Sequence, residues 1–512
     1  MNKEIKIDEQ IIIPEFFGIT DTIIIPKKTH KSVDFIPEHL LTKIHSDIKV
    51  AKELCLYFLS FLIETLFETN YEGKNLLASN LAWYLRSARR ETGDNNVYQN
   101  IIYALEQGTP DKGAFINVLK SYVPGEYSRK YNLTETYKCG SQGYKLKTKY
   151  VKDIVLRNTR EKLIKAYTSP IAINLIKFYA YLDLPTKEEL LIKGKQLVKE
   201  GYVTKKGKKL TMLHRQQKEH WKDADQRAFV EKDIEMFEVY TSYGFMIPVL
   251  GDENCPRVYD SISLLPSWIR NEIKIDGEKA YSPDYKCLHP NLAMNIYKGT
   301  TKYITHKKVA DHLEMDIKDV KTKHLSFFNL ESNHMKSSKL FKYYNSIESN
   351  VMNEIILDKQ MHSHKITSKL LFTLENNLMS NVIVKLNKEN IFVGYTYDAL
   401  FVAESVVNKV VEVMNQTALE MNIYTIAECD LDTSNEVKQE NNIVNQEVIE
   451  TSSEESILAD SKMYDDYIKE NLYGMYTHRL FKLNKDKVLK ELVELQLKNK
   501  KQITQKIKEI LL

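Results

Sequence analysis

The stretch Ile391-Phe392-Val393-Gly394-Tyr395-Thr396-Tyr397-Asp398-Ala399-Leu400-Phe401-Val402 sets the reading of this chain, because a single aspartate adjoins a strand-like apolar run. A second segment, well upstream, does the same. It runs Arg257-Val258-Tyr259-Asp260-Ser261-Ile262-Ser263-Leu264-Leu265-Pro266-Ser267-Trp268-Ile269-Arg270 and on through Asp276-Gly277 to Asp284-Tyr285-Lys286-Cys287-Leu288-His289-Pro290. One aspartate at a strand end is ordinarily a turn former or a cap. Two carboxylates drawn together from distant strand ends suit a pair of metal ions roughly 3.5–4 Å apart, which stabilise the attacking and leaving oxygens of a phosphoryl transfer.

The 512 residues suffice for two or more domains, or for one multi-lobed enzyme. Glycine and proline are scarce, at 17 and 12 residues, which favours a helix-rich fold. A net charge of +4 does not by itself announce nucleic-acid binding. The distribution says more, because residues 428–461 hold ten acids and one lysine, leaving the remainder more basic than the total. The five cysteines (Cys55, Cys139, Cys255, Cys287, Cys429) contain no Cys-x-x-Cys pair, and His312, His324, His334, His362 and His364 show no metal spacing backed by a carboxylate. The expectation is therefore no zinc site, no disulfide framework and a reducing cytoplasm. Met1 to Lys6 lacks the plan of a signal peptide, and the apolar run Leu54–Phe67 is too short to span a bilayer, so no membrane partner is expected.

Along the chain, Ile11-Ile12-Ile13-Pro14 and Ile23-Ile24-Ile25-Pro26 are short β-like runs stopped by proline. Apolar spacing of three and four then predicts helices to about residue 120. Arg86, Arg89 and Arg90 cluster on one of these, over Leu76–Glu91, and suit either a phosphate backbone or a solvated helix face. A helix from residue 187 leads to a hairpin, Gly201–Thr211, whose Lys205, Lys206, Lys208 and Lys209 form either a nucleic-acid wing or a solubilising turn. Residues 213–245 read as an amphipathic helix with Trp221, Phe229, Ile234 and Phe237 on its apolar side. The acidic segment 428–461 is expected to be a disordered linker, followed within residues 462–512 by a Lys-rich amphipathic helix suited to a protein partner or to the main body.

Taken in order, Arg257, the Ser263-Leu264-Leu265-Pro266 stretch, Arg270, Asp284 and Asp398 resemble the palm of family A DNA polymerases and phage single-subunit RNA polymerases. Leu288-His289-Pro290 is also close to a family B signature, and Tyr397 stands where family A has a histidine. The resemblance covers roughly residues 240–405. It implies an α+β right hand: a small antiparallel palm sheet with Asp284 and Asp398, a helical fingers insert at about 300–380, and a helix-rich, thumb-like N-terminal lobe over residues 1–240, with the palm unit spanning 241–427. It also implies Mg²⁺ (or Mn²⁺) on Asp284 and Asp398, nucleoside triphosphate substrates, and a nucleic-acid template and primer. Arg257 and Arg270 become nucleotide-binding candidates, with the surface ion pair as their bland alternative.

The fingers candidate is Met315–Asn329, where Lys318 and Lys321 share a helical face and suit triphosphate charge, although the family's arginine is missing. Glu375 lies on the helix before the second aspartate. In the resembling families the residue five after the first aspartate, here His289, lies under the incoming sugar. An imidazole there excludes a 2′-hydroxyl by bulk or greets it by hydrogen bonding. The expected function is a template-directed, DNA polymerase-like nucleotidyltransferase, fitting a phage or mobile-element replication protein, with a single-subunit RNA polymerase as alternative. A competitor of another class stays open: Thr305–Lys321 also resembles a helix-turn-helix, as in a non-catalytic replication initiator or regulator.

Overall fold

The computed structural model describes residue 17 and residues 21–67, 73–85, 96–120, 128–213, 226–252 and 255–429. The Arg86, Arg89, Arg90 cluster, the Ile11–Pro14 run, Trp221, nearly all of the acidic segment and the C-terminal helix lie outside those residues. Among the described residues no helix is long and apolar enough to cross a membrane.

The architecture is mixed α and β. Its apolar residues form two cores, one drawn from residues 23–155 with Val239, the other from residues 163–427. The core beneath the sheet therefore begins at Leu163, well before residue 241, because helix Pro170–Phe178 packs on the Gly394–Thr396 strand. The N-terminal core has the expected helices, including Ile48–Ser60 capped by Asp47 and Val97–Gln107. It also holds two small antiparallel sheets. The Ile23-Ile24-Ile25 run is a strand, Thr22–Pro26, paired with Ser141–Lys145.

The second core carries a seven-stranded sheet in which every pairing is antiparallel. From one edge its strands are Ile426–Glu428, Asp284–Lys286, Ala399–Ala403, Glu278–Tyr281, Lys274–Ile275 and Leu182–Asp183, with Gly394–Thr396 also paired to Ala399–Ala403. Between residues 306 and 388 the chain is entirely helices and their connections. The longest, Ile366–Lys388, packs on helices Leu288–Ile296, Val407–Glu420 and Pro170–Phe178 and on strand Cys255–Tyr259. Its buried stripe runs Leu371, Glu375, Leu378, Val382 and Leu386, a helical period interrupted by one carboxylate.

One reading of a helix changes. The single helix expected over residues 213–245 does not extend through Phe229: Arg227–Phe229 is a strand, parallel to Lys209–Thr211, and the helix starts at Val230. The strand satisfies backbone groups that the hairpin's second arm would otherwise leave unpaired. Ile234 and Phe237 do face the core. His289 and Pro290 both lie in the first turn of helix Leu288–Ile296, where proline's missing N–H has no helical partner to lose.

The buried Asn174 side chain ties the sheet to the helix beneath it. Its amide donates to the Val393 carbonyl at 2.5 Å and its oxygen accepts from the Val393 N–H at 3.1 Å. Asn174→Ala leaves both backbone groups buried and unpaired, so it is expected to destabilise the protein by about 2–4 kcal/mol. Denaturant unfolding measures this, and a loss under about 0.5 kcal/mol contradicts the role.

Candidate active site

Asp284 opens strand Asp284–Lys286, and Asp398 sits in the turn just before the neighbouring strand Ala399–Ala403. Asp284 opposes Ala399 in register, and the Tyr285 N–H donates to the Asp398 carbonyl at 3.2 Å. Asp398 closes a hairpin: Thr396 pairs with Ala399, leaving Tyr397 and Asp398 as a two-residue turn. Tyr397 holds a left-handed backbone (φ 69°), which such turns demand and glycine accepts more easily. Strain of this kind costs on the order of 1–3 kcal/mol and persists where surrounding contacts impose it. Upstream, Gly394 has no room for a side chain, since a Cβ would lie 2.8 Å from Phe401 and 2.9 Å from Phe178.

The contacts that hold the turn centre on Arg257. Its guanidinium meets Glu375 twice, Nε to Oε1 and Nη2 to Oε2, both at 2.7 Å. Its central carbon lies 4.4 Å from the Phe372 ring centre and 4.6 Å from that of Tyr397. A bidentate pair stacked on two rings is a rigid arrangement for arginine. The other Glu375 contact is His289, whose Nε2 lies 2.8 Å from Oε2 and whose ring stands edge-on to Phe372. Glu375 is wholly buried. Burial alone would raise its carboxyl, but the hydrogen bonds from His289 and Arg257 outweigh that and hold it below the ordinary range.

Asp398 has the opposite balance. Desolvation, then the nearby Glu375 charge, push its carboxyl up to about 6 against the weaker pull of its own backbone N–H, His289 and Arg257. Among the described residues Asp398 makes no ion pair. The buried Tyr395 hydroxyl, within electrostatic reach of Asp398, Glu375 and Arg257, has no hydrogen-bond partner among them either. Asp284 is partly exposed and pairs with Lys286 at 2.7 Å.

Of the other candidates, Arg270 donates to the Ser263 carbonyl at 3.3 Å and, with Lys205, Tyr202, Ser267, Thr396 and Phe401, lines a cleft of about 310 Å³ beside the hairpin. Lys206 and Lys209 are exposed on the Gly201–Thr211 hairpin, and Lys208 is half-buried there. Its turn is built by Gly207 (φ 75°) and the bond from the Gly207 N–H to the Thr204 carbonyl. Lys318 and Lys321 are exposed on helix Ile317–Phe327, and the Lys321 charge is felt at Cys287 and His306. Arg257, His289 and Asp398 thus converge with Glu375, Arg270 and Lys205 share the adjoining cleft, and Lys206 and Lys209 lie on exposed surface.

The structure also groups residues that spacing alone had set aside. Cys287, His306 and His324 offer ligand atoms that all lie within 4.8 Å of one another. Burial, then the facing His306 ring, push His324 down to about 3, so it is a neutral imidazole. Their separations along the chain match no zinc motif, and only the turn after Asp284 and the packing of two helices bring them together.

Asp398 makes a testable link between charge and stability. Its folded pKa of about 6 exceeds the unfolded value of about 3.9, so the native state keeps a proton that the unfolded state releases between those values. Its contribution therefore falls as pH rises through about 4 to 6 and stays low above, a penalty of at most roughly 3 kcal/mol. Without divalent ions, Asp398→Asn is expected to raise the melting midpoint by roughly 2–4 °C at about pH 8, a gain that fades towards about pH 4. Melts of the two proteins across pH check this. An equal gain at both ends contradicts the burial of that charge.

No protein-family model matches the chain, and no curated protein does. Among solved structures it is similar to the polymerase domain of Pol1 from M. smegmatis, in complex with DNA primer-template and dNTP, at 8% identity and a TM-score of 0.29. That likeness covers 55% of this chain and 72% of the other, and is too distant to carry a functional argument.

Proposed function

We propose that the chain is a template-directed, DNA polymerase-like nucleotidyltransferase whose reaction runs at Asp284 and Asp398. The observation that supports this reading is that the strained hairpin turn carrying Asp398 lies directly beside the strand that carries Asp284, with the Tyr285 N–H bonded to the Asp398 carbonyl. In the reaction a primer 3′-oxygen forms a bond to the α-phosphorus of the incoming nucleotide. The bond from that phosphorus to the β-phosphate oxygen breaks, and pyrophosphate leaves.

The residues present fit Mg²⁺ or Mn²⁺. Asp398 is an oxygen donor raised in pKa by burial and like charge, it makes no ion pair among the described residues, and the Tyr395 hydroxyl, without a hydrogen-bond partner among them, lies within electrostatic reach. Asp284 and Asp398 would hold the ions, since hard divalent cations take carboxylate oxygens. Bound there, they would supply charge stabilisation at the attacking and leaving oxygens. Arg257 and Glu375 act as positioning residues, fixing Tyr397 and with it the Asp398 turn. Lys321 and Lys318, on the exposed face of their helix, are assigned to the triphosphate, while Arg270 and Lys205 line a basic cleft sized for nucleotide or backbone phosphate. Lys206, Lys208 and Lys209 extend that charge along the hairpin, where phosphate contacts would position the template and primer. His289 is fixed by Glu375 and Phe372, which favours a steric role beneath the sugar over a mobile hydrogen-bonding one.

The regulator reading keeps one observation: His306–Leu313 and Ile317–Phe327 do form two helices around a left-handed Glu314. Metal dependence separates the classes. Asp284→Asn and Asp398→Asn are each expected to lower nucleotide incorporation by roughly a thousandfold or more while the protein stays folded. Primer extension and thermal unfolding, run together, test this, and full activity in either variant removes the reading.

Sugar choice gives a second test. His289→Gly is expected to raise ribonucleotide incorporation relative to deoxynucleotide incorporation by at least roughly tenfold, whatever the loss of its bond to Glu375 costs both. Single-nucleotide extension measures both. Loss of a ribonucleotide activity that the parent possessed would make His289 a recognition group and the protein an RNA polymerase.

A further inference from the structure

Three side chains with no part in the proposed transfer meet between the sheet and the helical insert. Cys287 follows the Asp284–Lys286 strand in a left-handed backbone (φ 51°) and caps helix Leu288–Ile296. His306 opens helix His306–Leu313, and His324 lies in the last turn of helix Ile317–Phe327. We propose that Cys287, His306 and His324 bind one zinc ion, which ties the insert to the strand that carries Asp284.

The spacing of the donor atoms supports this. A tetrahedral zinc holds nitrogen at ~2.0 Å and thiolate sulfur at ~2.3 Å, which sets two nitrogens ~3.3 Å apart and nitrogen and sulfur ~3.5 Å apart. Here His306 Nδ1 lies 3.1 Å from His324 Nδ1 and 3.6 Å from Cys287 Sγ. The donor set agrees, since one thiolate and two imidazoles favour zinc over hard cations. The surroundings agree as well. Histidines that bind metals use their second nitrogen on a fixed partner, which sets ring orientation and tautomer. The far nitrogen of His324, Nε2, lies 2.7 Å from the hydroxyl of the fully buried Tyr344, while Nδ1 faces His306; the ring also bonds the Val320 carbonyl, a contact that zinc on Nδ1 would displace. Among the described residues no fourth histidine, cysteine or carboxylate joins the group, so a water completes the shell. Binding forms the zinc–sulfur bond as the Cys287 thiol releases its proton to solvent, while both imidazoles bind neutral.

The competing account is a metal-free hydrogen-bonded chain from Cys287 through both histidines to Tyr344. Cobalt titration of the full chain, stripped with a chelator, separates the two. Zinc predicts about one cobalt per chain with a thiolate-to-cobalt charge-transfer band, displaced by added zinc. Cys287→Ser should abolish the band, His306→Ala should weaken binding by at least roughly tenfold, and Cys139→Ser and Cys255→Ser should keep it. Circular dichroism on the same samples shows whether each variant is folded, and the milder His306→Ala stands in should Cys287→Ser fail. Absence of the band in folded parent protein, or its persistence in Cys287→Ser, overturns the proposal. Cobalt on Asp284 and Asp398 gives no thiolate band, and Asp284→Asn should retain the Cys287 signal, so this test stands whether or not the chain transfers nucleotides.

Discussion

The site rests on one buried carboxylate. Glu375 occupies a core position of helix Ile366–Lys388, where leucine or valine would follow the stripe, and a charge there is tolerated only if paired and hydrogen-bonded. Arg257 and His289 supply those bonds from strand Cys255–Tyr259 and helix Leu288–Ile296. Three elements distant in sequence are thereby locked to one another. Through the stacking of Arg257 on Tyr397, the same carboxylate also reaches the hairpin turn that presents Asp398.

Two acids a short distance apart thus meet opposite fates. Glu375 is wholly buried and yet held as an anion, because arginine and histidine face it. Asp398 suffers a similar desolvation and the repulsion of Glu375, and among the described residues it makes no ion pair to offset them. That imbalance, together with the left-handed Tyr397, concentrates an unfavourable charge and a strained backbone at the Asp398 turn. The Tyr395 hydroxyl, without a hydrogen-bond partner among the described residues, belongs to the same region.

Much of this arrangement was legible in the residues. The strand expected beside each aspartate is present, with Asp284 on one and Asp398 in the turn before its neighbour, the period of three and four marked N-terminal helices such as Ile48–Ser60, and proline bounded the Ile23–Ile25 strand. Glu375 was visible as a residue on the helix before Asp398, but its pairing with Arg257, 118 positions away, is a tertiary fact. A carboxylate inside an apolar stripe was the available signal. Arg257, read as a nucleotide ligand or a surface ion pair, does form an ion pair, but its partner is the wholly buried Glu375. The Arg227–Phe229 strand was hidden because three residues are too few to show a period. The Cys287, His306 and His324 cluster was hidden because its spacing follows from helix packing and not from a local loop.

The central claim is that Asp284 and Asp398 form a nucleotidyl-transfer centre. Single-nucleotide extension of a labelled primer tests it most directly, using the full chain, Mg²⁺ or Mn²⁺, DNA and RNA templates, and each nucleotide in turn. The account predicts metal-dependent addition of the nucleotide complementary to the template base. Addition indifferent to the template, or none with any template, sugar or metal, would contradict it.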